Sequence, residues 1–349
     1  MRIKPIKIGK RLVGNGHKCY VIAEIGSNFD GSLSQAKKLI KLAKSCGADA
    51  AKFQSFITEK LISKKGFEKK LAFQSKWKKS VWDVYEDAEL PRVWHKELNK
   101  YAKKIGIDFF TSPWDFEAVD LLEKLNVPVI KVGSGDITYI EILKRIASTK
   151  KPILLSTGAS TMKEVEQAVN VIKSTGNDKI ILLHAVVQYP SPIEDANLKT
   201  LHVLREKFNL NVGYSDHSPG SLIALASVAM GACVIEKHFT IDSKLKGPDH
   251  PHSMIPRTFH EMVQNIRLLE KAMGDGLKTV KSSEEETRII QRRGIWTITS
   301  IEKGEPFTLQ NINALRPVLG IPASEYKKII GKKAKKTYRP YTPLTLKDL

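Results

Sequence analysis

Short apolar runs rich in Val, Ile and Phe recur along most of the chain, and the segments between them place apolar residues at helical spacing. Such alternation predicts βα units wound around a parallel sheet. Strands are expected at residues 19–26 (CYVIAEIG), 49–55 (DAAKFQS), 107–113 (IDFFTSP), 127–135 (VPVIKVGSG), 151–158 (KPILLSTG), 179–186 (KIILLHAV), 211–217 (NVGYSDH) and 232–239 (ACVIEKHF). Amphipathic stretches such as 32–48 (SLSQAKKLIKLAKSCGA) supply the helices. Eight strands in this rhythm predict an α/β fold, a closed TIM (β/α)₈ barrel, in preference to an open doubly wound sheet.

Each predicted strand turns polar toward its C-terminal end or just beyond: Glu24; Lys52 and Gln54; Thr111; Lys131 and Ser134; Ser156 and Thr157; Tyr189; Ser215 and His217; Glu236 and His238. In a barrel these ends converge on one face, where the βα loops build active sites. The Lys-rich stretch 56–82 follows the second strand and is expected to cover that mouth. Beyond the helical run 256–274 the pattern changes, which predicts a barrel over 1–275, a polar linker over 276–290 and a small β-rich unit over 291–349. A unit of roughly 60 residues needs support from another surface.

Charge narrows the partners. Lys and Arg outnumber Asp and Glu by 57 to 37, a formal net charge of +20. No zinc-finger, RNP-like or basic-zipper pattern accompanies the excess, so an anionic small substrate or a Lys-rich composition explains it better than nucleic acid. Cys19, Cys46 and Cys233 are too few and too scattered for a disulfide framework or a metal knuckle and are expected to be reduced core residues. With no leader-like N-terminus and no run of membrane-spanning length, a soluble cytoplasmic protein is expected.

The chemistry is concentrated at the strand ends. His217 and His238 lie on neighbouring predicted strands, and two neutral imidazoles can hold a divalent ion while leaving positions open for substrate oxygens. Asp216 and Glu236 stand beside them as possible ligands or imidazole partners. Mn²⁺, Mg²⁺, Fe²⁺ and Zn²⁺ all remain compatible. The run KVGSGD, residues 131–136, joins Lys131 to a Gly-Ser-Gly turn whose amides can bind an anion, and Lys52, Thr111, Ser134 and Ser215 on the same face point to phosphate. Glu24 sits among apolar residues and would be costly to bury alone, which marks it as a functional candidate, with a structural salt bridge to Lys52 as the alternative. In GPDHPHSM, residues 247–254, Asp249 is expected to meet sugar hydroxyls, whereas His250 and His252 are expected to be solvated. His17, His95, His184, His202 and His260 are read as structural.

The segments IAEIGSNFDGSLSQAKKLIKLAKSCGADAAKFQSF, YSDHSPG, EKHFTIDSKLKGPDH and LRPVLGIPASEYKKIIGKKAKK, in this order, resemble the bacterial sialic acid synthase family, whose members make N-acetylneuraminate and its legionaminate and pseudaminate relatives. The tail resembles that family's antifreeze-like SAF domain, a β-clip fold. The resemblance implies condensation of phosphoenolpyruvate (PEP) with an open-chain N-acyl hexosamine, either N-acetylmannosamine or a diacetamido-trideoxyhexose, and release of phosphate. It assigns His217 and His238 to a divalent metal, expected to be Mn²⁺, and Glu24 to orienting reacting groups or accepting a proton. It assigns Lys52, Thr111, Lys131, Ser134 and Ser215 to PEP, with Glu236 beside them, and Gln54, Tyr189 and Asp249 to the sugar. Arg316 would reach from one subunit's tail into the other's barrel, which implies a domain-swapped homodimer.

Two departures from the family pattern stand out: Val186 and Val187 occupy positions that are commonly polar, and Val318 replaces a common glycine. Two rival readings remain open. Lys131 could form a Schiff base with pyruvate in a metal-independent aldolase, or the chain could be a non-enzymatic carbohydrate- or nucleic-acid-binding protein.

Overall fold

The computed structural model describes residues 3–70, 74–75 and 77–348. All eight expected strands are present: β3 (Tyr20–Glu24), β4 (Ala50–Ser55), β5 (Asp108–Pro113), β6 (Ile130–Val132), β7 (Ile153–Ser156), β8 (Ile180–Ala185), β9 (Asn211–Asp216) and β10 (Val234–His238). They pair in parallel in the order β5-β4-β3-β10-β9-β8-β7-β6, and β5 lies against β6 to complete a TIM-like barrel. Eight helices cover it: Leu33–Ser45, Trp94–Ile105, Phe116–Lys124, Ile140–Ser148, Met162–Ser174, Thr200–Phe208, Leu222–Ala229 and Pro256–Ala272. Their starts follow local chemistry. Ser32 accepts from the Gln35 amide at 3.3 Å, and Thr161 forms a reciprocal capping box with Glu164.

The strands are buried on both faces, as a parallel sheet under helices requires, and their apolar residues join the helix faces in one core. Cys19, Cys46 and Cys233 are free thiols within it. Two differences from the sequence reading have local causes. Strand β6 stops at Val132, because Ser134–Asp136 turns into a 3₁₀ helix. An unforeseen hairpin, β1 (Ile6–Ile8) with β2 (Arg11–Val13), precedes the barrel; strands of three residues are too short to show a period. Arg11 of this hairpin contacts Asp49 at 2.7 Å.

Residues 56–82 fold in part into the short helices Thr58–Leu61 and Lys65–Phe67, while 71–73 and 76 lie outside the described residues. Phe56 packs against Tyr85 and Trp114, with ring centroids 5.6 Å apart in both pairs. Among the described residues no helix is long and apolar enough to cross a membrane.

The chain divides into two compact units, Met1–Gly274 and Asp275–Leu349. The second holds a two-stranded antiparallel sheet, β11 (Gly294–Thr297) with β12 (Ile312–Leu315). Its own core consists of Ile295, Ile301, Phe307, Ile312, Ile321, Ile329, Ala334, Tyr338 and Leu344. Arg316 follows β12, is exposed, and precedes Pro317 through a cis peptide. The Val318 amide donates to the Ile289 carbonyl at 3.1 Å.

Two outcomes follow from the barrel packing. A Cβ on Gly213 would stand 2.6 Å from the Val234 carbonyl oxygen and 2.7 Å from Leu183 Cδ2. Gly213→Ala should therefore lower barrel stability by roughly 1–3 kcal/mol in urea denaturation. His95 is fully buried against Ser55, at 2.6 Å, and burial pushes its imidazole pKa down to about 4. Its contribution is complete above the unfolded value near 6.5 and is lost as pH falls toward 4, the loss reaching about 2 kcal/mol at pH 5. His95→Asn should flatten the fall of stability between pH 7 and pH 5 relative to the parent.

Candidate active site

Strand register builds the site. His238 on β10 stands opposite Glu24 on β3, and Glu24 stands opposite Lys52 on β4. Glu236, two residues before His238 and therefore on the same face, stands opposite Ser215 on β9. That face is the barrel interior, because Glu236 also meets Lys131 from the non-neighbouring strand β6.

Four charges meet there. Lys52 Nζ lies 2.7 Å from Glu24 Oε2 and 3.7 Å from Glu236 Oε1, while Lys131 Nζ is 3.4 Å from Glu236 Oε1. Ser215 Oγ donates to Glu236 at 3.0 Å, and Gln54 Nε2 donates to Glu24 at 2.9 Å. All four charged side chains are at most 5% exposed. Burial raises the Glu24 pKa, and the single nearby ammonium of Lys52 only partly offsets this. Burial acts on Glu236 in the same direction, but Lys131 and Lys52 together outweigh it and hold this carboxylate ionised. Burial lowers the pKa of Lys131 despite Glu236. Thr111 Oγ1 is buried without a hydrogen-bond partner among the described residues. Ser134 opens the 3₁₀ turn after β6, and its hydroxyl accepts from the Gly158 amide at 3.1 Å.

Beside this charged row lies a group of imidazoles. His217 and His238 have ring centroids 5.7 Å apart, and Tyr189 packs on His217 at 4.3 Å. His217 Nδ1 lies 2.7 Å from the Val186 carbonyl oxygen, so Nδ1 carries the proton and Nε2 keeps its lone pair for another partner. Burial lowers the pKa of His217 to about 4 and that of His238 well below its usual value, so both are neutral near pH 7. Two neutral imidazoles with an available nitrogen suit a divalent ion.

Some sequence expectations need correction. His250 and His252 are not solvated. His250 is buried between Thr240 Oγ1, at 2.6 Å, and Asp30 Oδ1, at 2.9 Å, whereas His252 meets His238 edge-on and Tyr189 at a tilt, with ring centroids 4.9 and 5.1 Å apart. Asp216 makes no hydrogen bond to an imidazole among the described residues. Strand alternation turns it away from Ser215 and His217 toward Lys237, at 2.7 Å, and its carboxylate also accepts from the amide and hydroxyl of Ser218. Asp249 approaches His238 at 3.9 Å and His252 at 3.7 Å, and both Ser27 donors hold its Oδ2 at 3.0 Å. Among the described residues, His238, Asp249 and His252 offer ligand atoms that all lie within 4.8 Å of one another.

Sequence reasoning passed over Tyr85, whose pKa is raised by burial and by the charge of Asp249, and Asp136. The Asp136 carboxyl is pushed up to about 7 by burial, and its Oδ2 is buried without a hydrogen-bond partner among the described residues. Asp136 is the last residue of KVGSGD, so that motif carried a signal for it. Tyr85 had none beyond lying just past a stretch expected to cover the mouth.

Comparison with known proteins is specific. Residues 39–278 match the model of the NeuB family, and residues 292–349 match that of the SAF domain. The chain is 43% identical to the N,N'-diacetyllegionaminic acid synthase of Campylobacter jejuni, over 92% of this chain and 97% of that protein. It is 36% identical to the pseudaminic acid synthase of Helicobacter pylori, over 94% and 97%. The crystal structure of N-acetylneuraminic acid synthetase from Leptospira borgpetersenii superposes with a TM-score of 0.74 at 32% identity, covering 81% of this chain and 95% of that one.

Lys52→Met removes the ammonium that faces two buried carboxylates. It should cost roughly 3–5 kcal/mol of barrel stability in chemical denaturation. Adding Glu24→Gln should restore part of that loss, and strictly additive single and double variants would show that the two side chains are not coupled.

Proposed function

Because the chain belongs to the NeuB family, we propose that it condenses PEP with the open-chain aldehyde of an N-acyl hexosamine, giving a nonulosonic acid and phosphate. The observation that carries this reading is the adjacency, on one end of the barrel, of two buried lysines and a cluster of neutral imidazoles. An anionic enol phosphate and an aldehyde would each find the chemistry they need at one end of the barrel. The names of the synthase relatives support the same reaction class.

In this reaction the methylene carbon of PEP bonds to the aldehyde carbon, water adds to the central carbon, and the phosphate leaves with its bridging oxygen. Lys52 and Lys131 are preorganised for the carboxylate and phosphate of PEP, with the Thr111, Ser134 and Ser215 hydroxyls completing the anion site. Glu236 fixes the two ammonium groups in place. Glu24, held between Lys52 and Gln54, orients the water or accepts a proton from it. Gln54, Tyr189 and Asp249 face the sugar.

His217 and His238 would hold a divalent ion, with Mn²⁺ as the proposed physiological metal, and such an ion supplies Lewis acidity at the aldehyde oxygen. The proposed acceptor is a 2,4-diacetamido-trideoxyhexose in preference to N-acetylmannosamine. Val187 is exposed after β8 at a position commonly polar in the family, and an acceptor that lacks a hydroxyl suits it. The proposal extends to a domain-swapped homodimer acting in the cytoplasm. In it, the exposed Arg316 of a second subunit would add positive charge to the anionic substrates.

The test is phosphate release and product mass with PEP, Mn²⁺ and a panel of N-acyl hexoses. A mass equal to acceptor plus pyruvate with stoichiometric phosphate is expected, most rapidly with the diacetamido sugar. His217→Ala should lower the rate roughly 10²-fold or more. Covalent trapping of pyruvate on Lys131 by borohydride, without a metal requirement, would instead establish the aldolase reading.

A further inference from the structure

We propose that His238, Asp249 and His252 together form a divalent-ion seat, in which a loop imidazole and a carboxylate join the strand-end His238. This inference rests on the metal reading above and concerns the residues of one loop.

The loop GPDHPHS sends its two histidines in different directions. Residues His250–His252 form a single 3₁₀ turn with Pro251 between the histidines and Asp249 at its cap. His250 goes to a closed polar site between Thr240 and Asp30. His252 goes to the barrel mouth, against His238 and Tyr189.

Two ring nitrogens at the mouth lack the hydrogen bonds that His217 and His250 make. His238 Nδ1 and His252 Nε2 are both buried, and neither has a hydrogen-bond partner among the described residues. Each lies near the same carboxylate, His238 Nδ1 at 3.9 Å from Asp249 Oδ2 and His252 Nε2 at 3.7 Å from Asp249 Oδ1. Those separations exceed a hydrogen bond, which would close to about 2.7–3.2 Å. They match neighbouring donors around one ion, since bonds of about 2.0–2.2 Å place adjacent ligand atoms roughly 3–4 Å apart. Buried, unsatisfied nitrogens are costly, and a shared cation would satisfy both together with the carboxylate.

The carboxylate is positioned in advance. Asp249 Oδ2 accepts from the amide and the hydroxyl of Ser27 at 3.0 Å each. Gly26 has a φ of +54°, and a Cβ there would come within 2.4 Å of that oxygen. Only glycine lets the backbone carry the Ser27 donors so close to Asp249. His217, with Nδ1 on the Val186 carbonyl and its ring centroid 5.7 Å from that of His238, keeps Nε2 available but stands outside this group of three.

An imidazole-rich set with one carboxylate favours borderline ions such as Co²⁺, Fe²⁺ and Zn²⁺ over Mg²⁺ and holds Mn²⁺ more firmly than two histidines would. Asp249 then serves the ion in addition to any role toward sugar hydroxyls.

The experiment is calorimetric titration of the metal-stripped full chain with Co²⁺ and with Mn²⁺, with the visible Co²⁺ spectrum recorded and no substrate present. His252→Ala and His252→Gln should each weaken Co²⁺ binding tenfold or more and shift its visible bands, and Asp249→Asn should do the same. His202→Ala, an exposed histidine paired with Glu206, should leave both readouts unchanged. Thermal melts of the metal-free variants identify any that fail to fold, and the remaining variant at position 252 then decides. Parental affinity and spectrum in a folded position-252 variant would overturn the proposal, as would failure of the parent to bind Co²⁺. The PEP and hexose assay is independent: weakened metal binding in the variants without turnover by the parent would refute the synthase reading and leave this site standing.

Discussion

The site depends on one ammonium group, Lys52, placed between two carboxylates inside the barrel. Glu24 and Glu236 come from adjacent strands β3 and β10, and without a cation neither could remain ionised at that depth. Lys131 arrives from across the barrel and adds a second positive charge. The result is a polar floor in which the groups are mutually paired and, in the proposed reaction, would exchange partners with an anionic substrate. Such an arrangement is a poor source of net stability. Its value lies in preorganisation, because the lysines need no reorganisation of solvent when a phosphate or carboxylate arrives.

The imidazole cluster is the neutral counterpart of that floor. Desolvation keeps His217 and His238 uncharged, which leaves ring nitrogens available to a Lewis acid and avoids adding positive charge beside Lys52. Charged and neutral donors therefore occupy neighbouring parts of one mouth, and strand register alone fixes their spacing, through the row His238, Glu24 and Lys52.

Much of this was legible in the sequence because parallel barrels impose two simple rules: strands are apolar throughout, and their C-terminal ends turn polar where loops begin. The eight strands followed from the first rule, and the convergence of Glu24, Lys52, Lys131, Ser215, Glu236 and His238 from the second. Asp216 was misread because nearness in the chain was allowed to outweigh alternation. Ser215 and His217 share one face, so Asp216 must take the other, where Lys237 waits by the same parity. His252 was not legible, since its burial comes from Tyr189, more than sixty residues earlier and on the loop after β8. The hairpin β1–β2 was missed because its strands are shorter than any period that could reveal them.

The bond between His217 Nδ1 and the Val186 carbonyl has a wider consequence. The partner that sets the tautomer of this imidazole belongs to the main chain, so it is the same whatever side chain stands at position 186. The loop after β8, which in this chain carries two valines in succession, can thus hold other side chains without altering the tautomer of the histidine. Structural tolerance and chemical constancy reside in the same residue, on different atoms. A fold built this way can diversify the molecules it accepts while its reacting centre stays fixed, which makes the loop a natural place for divergence between related enzymes.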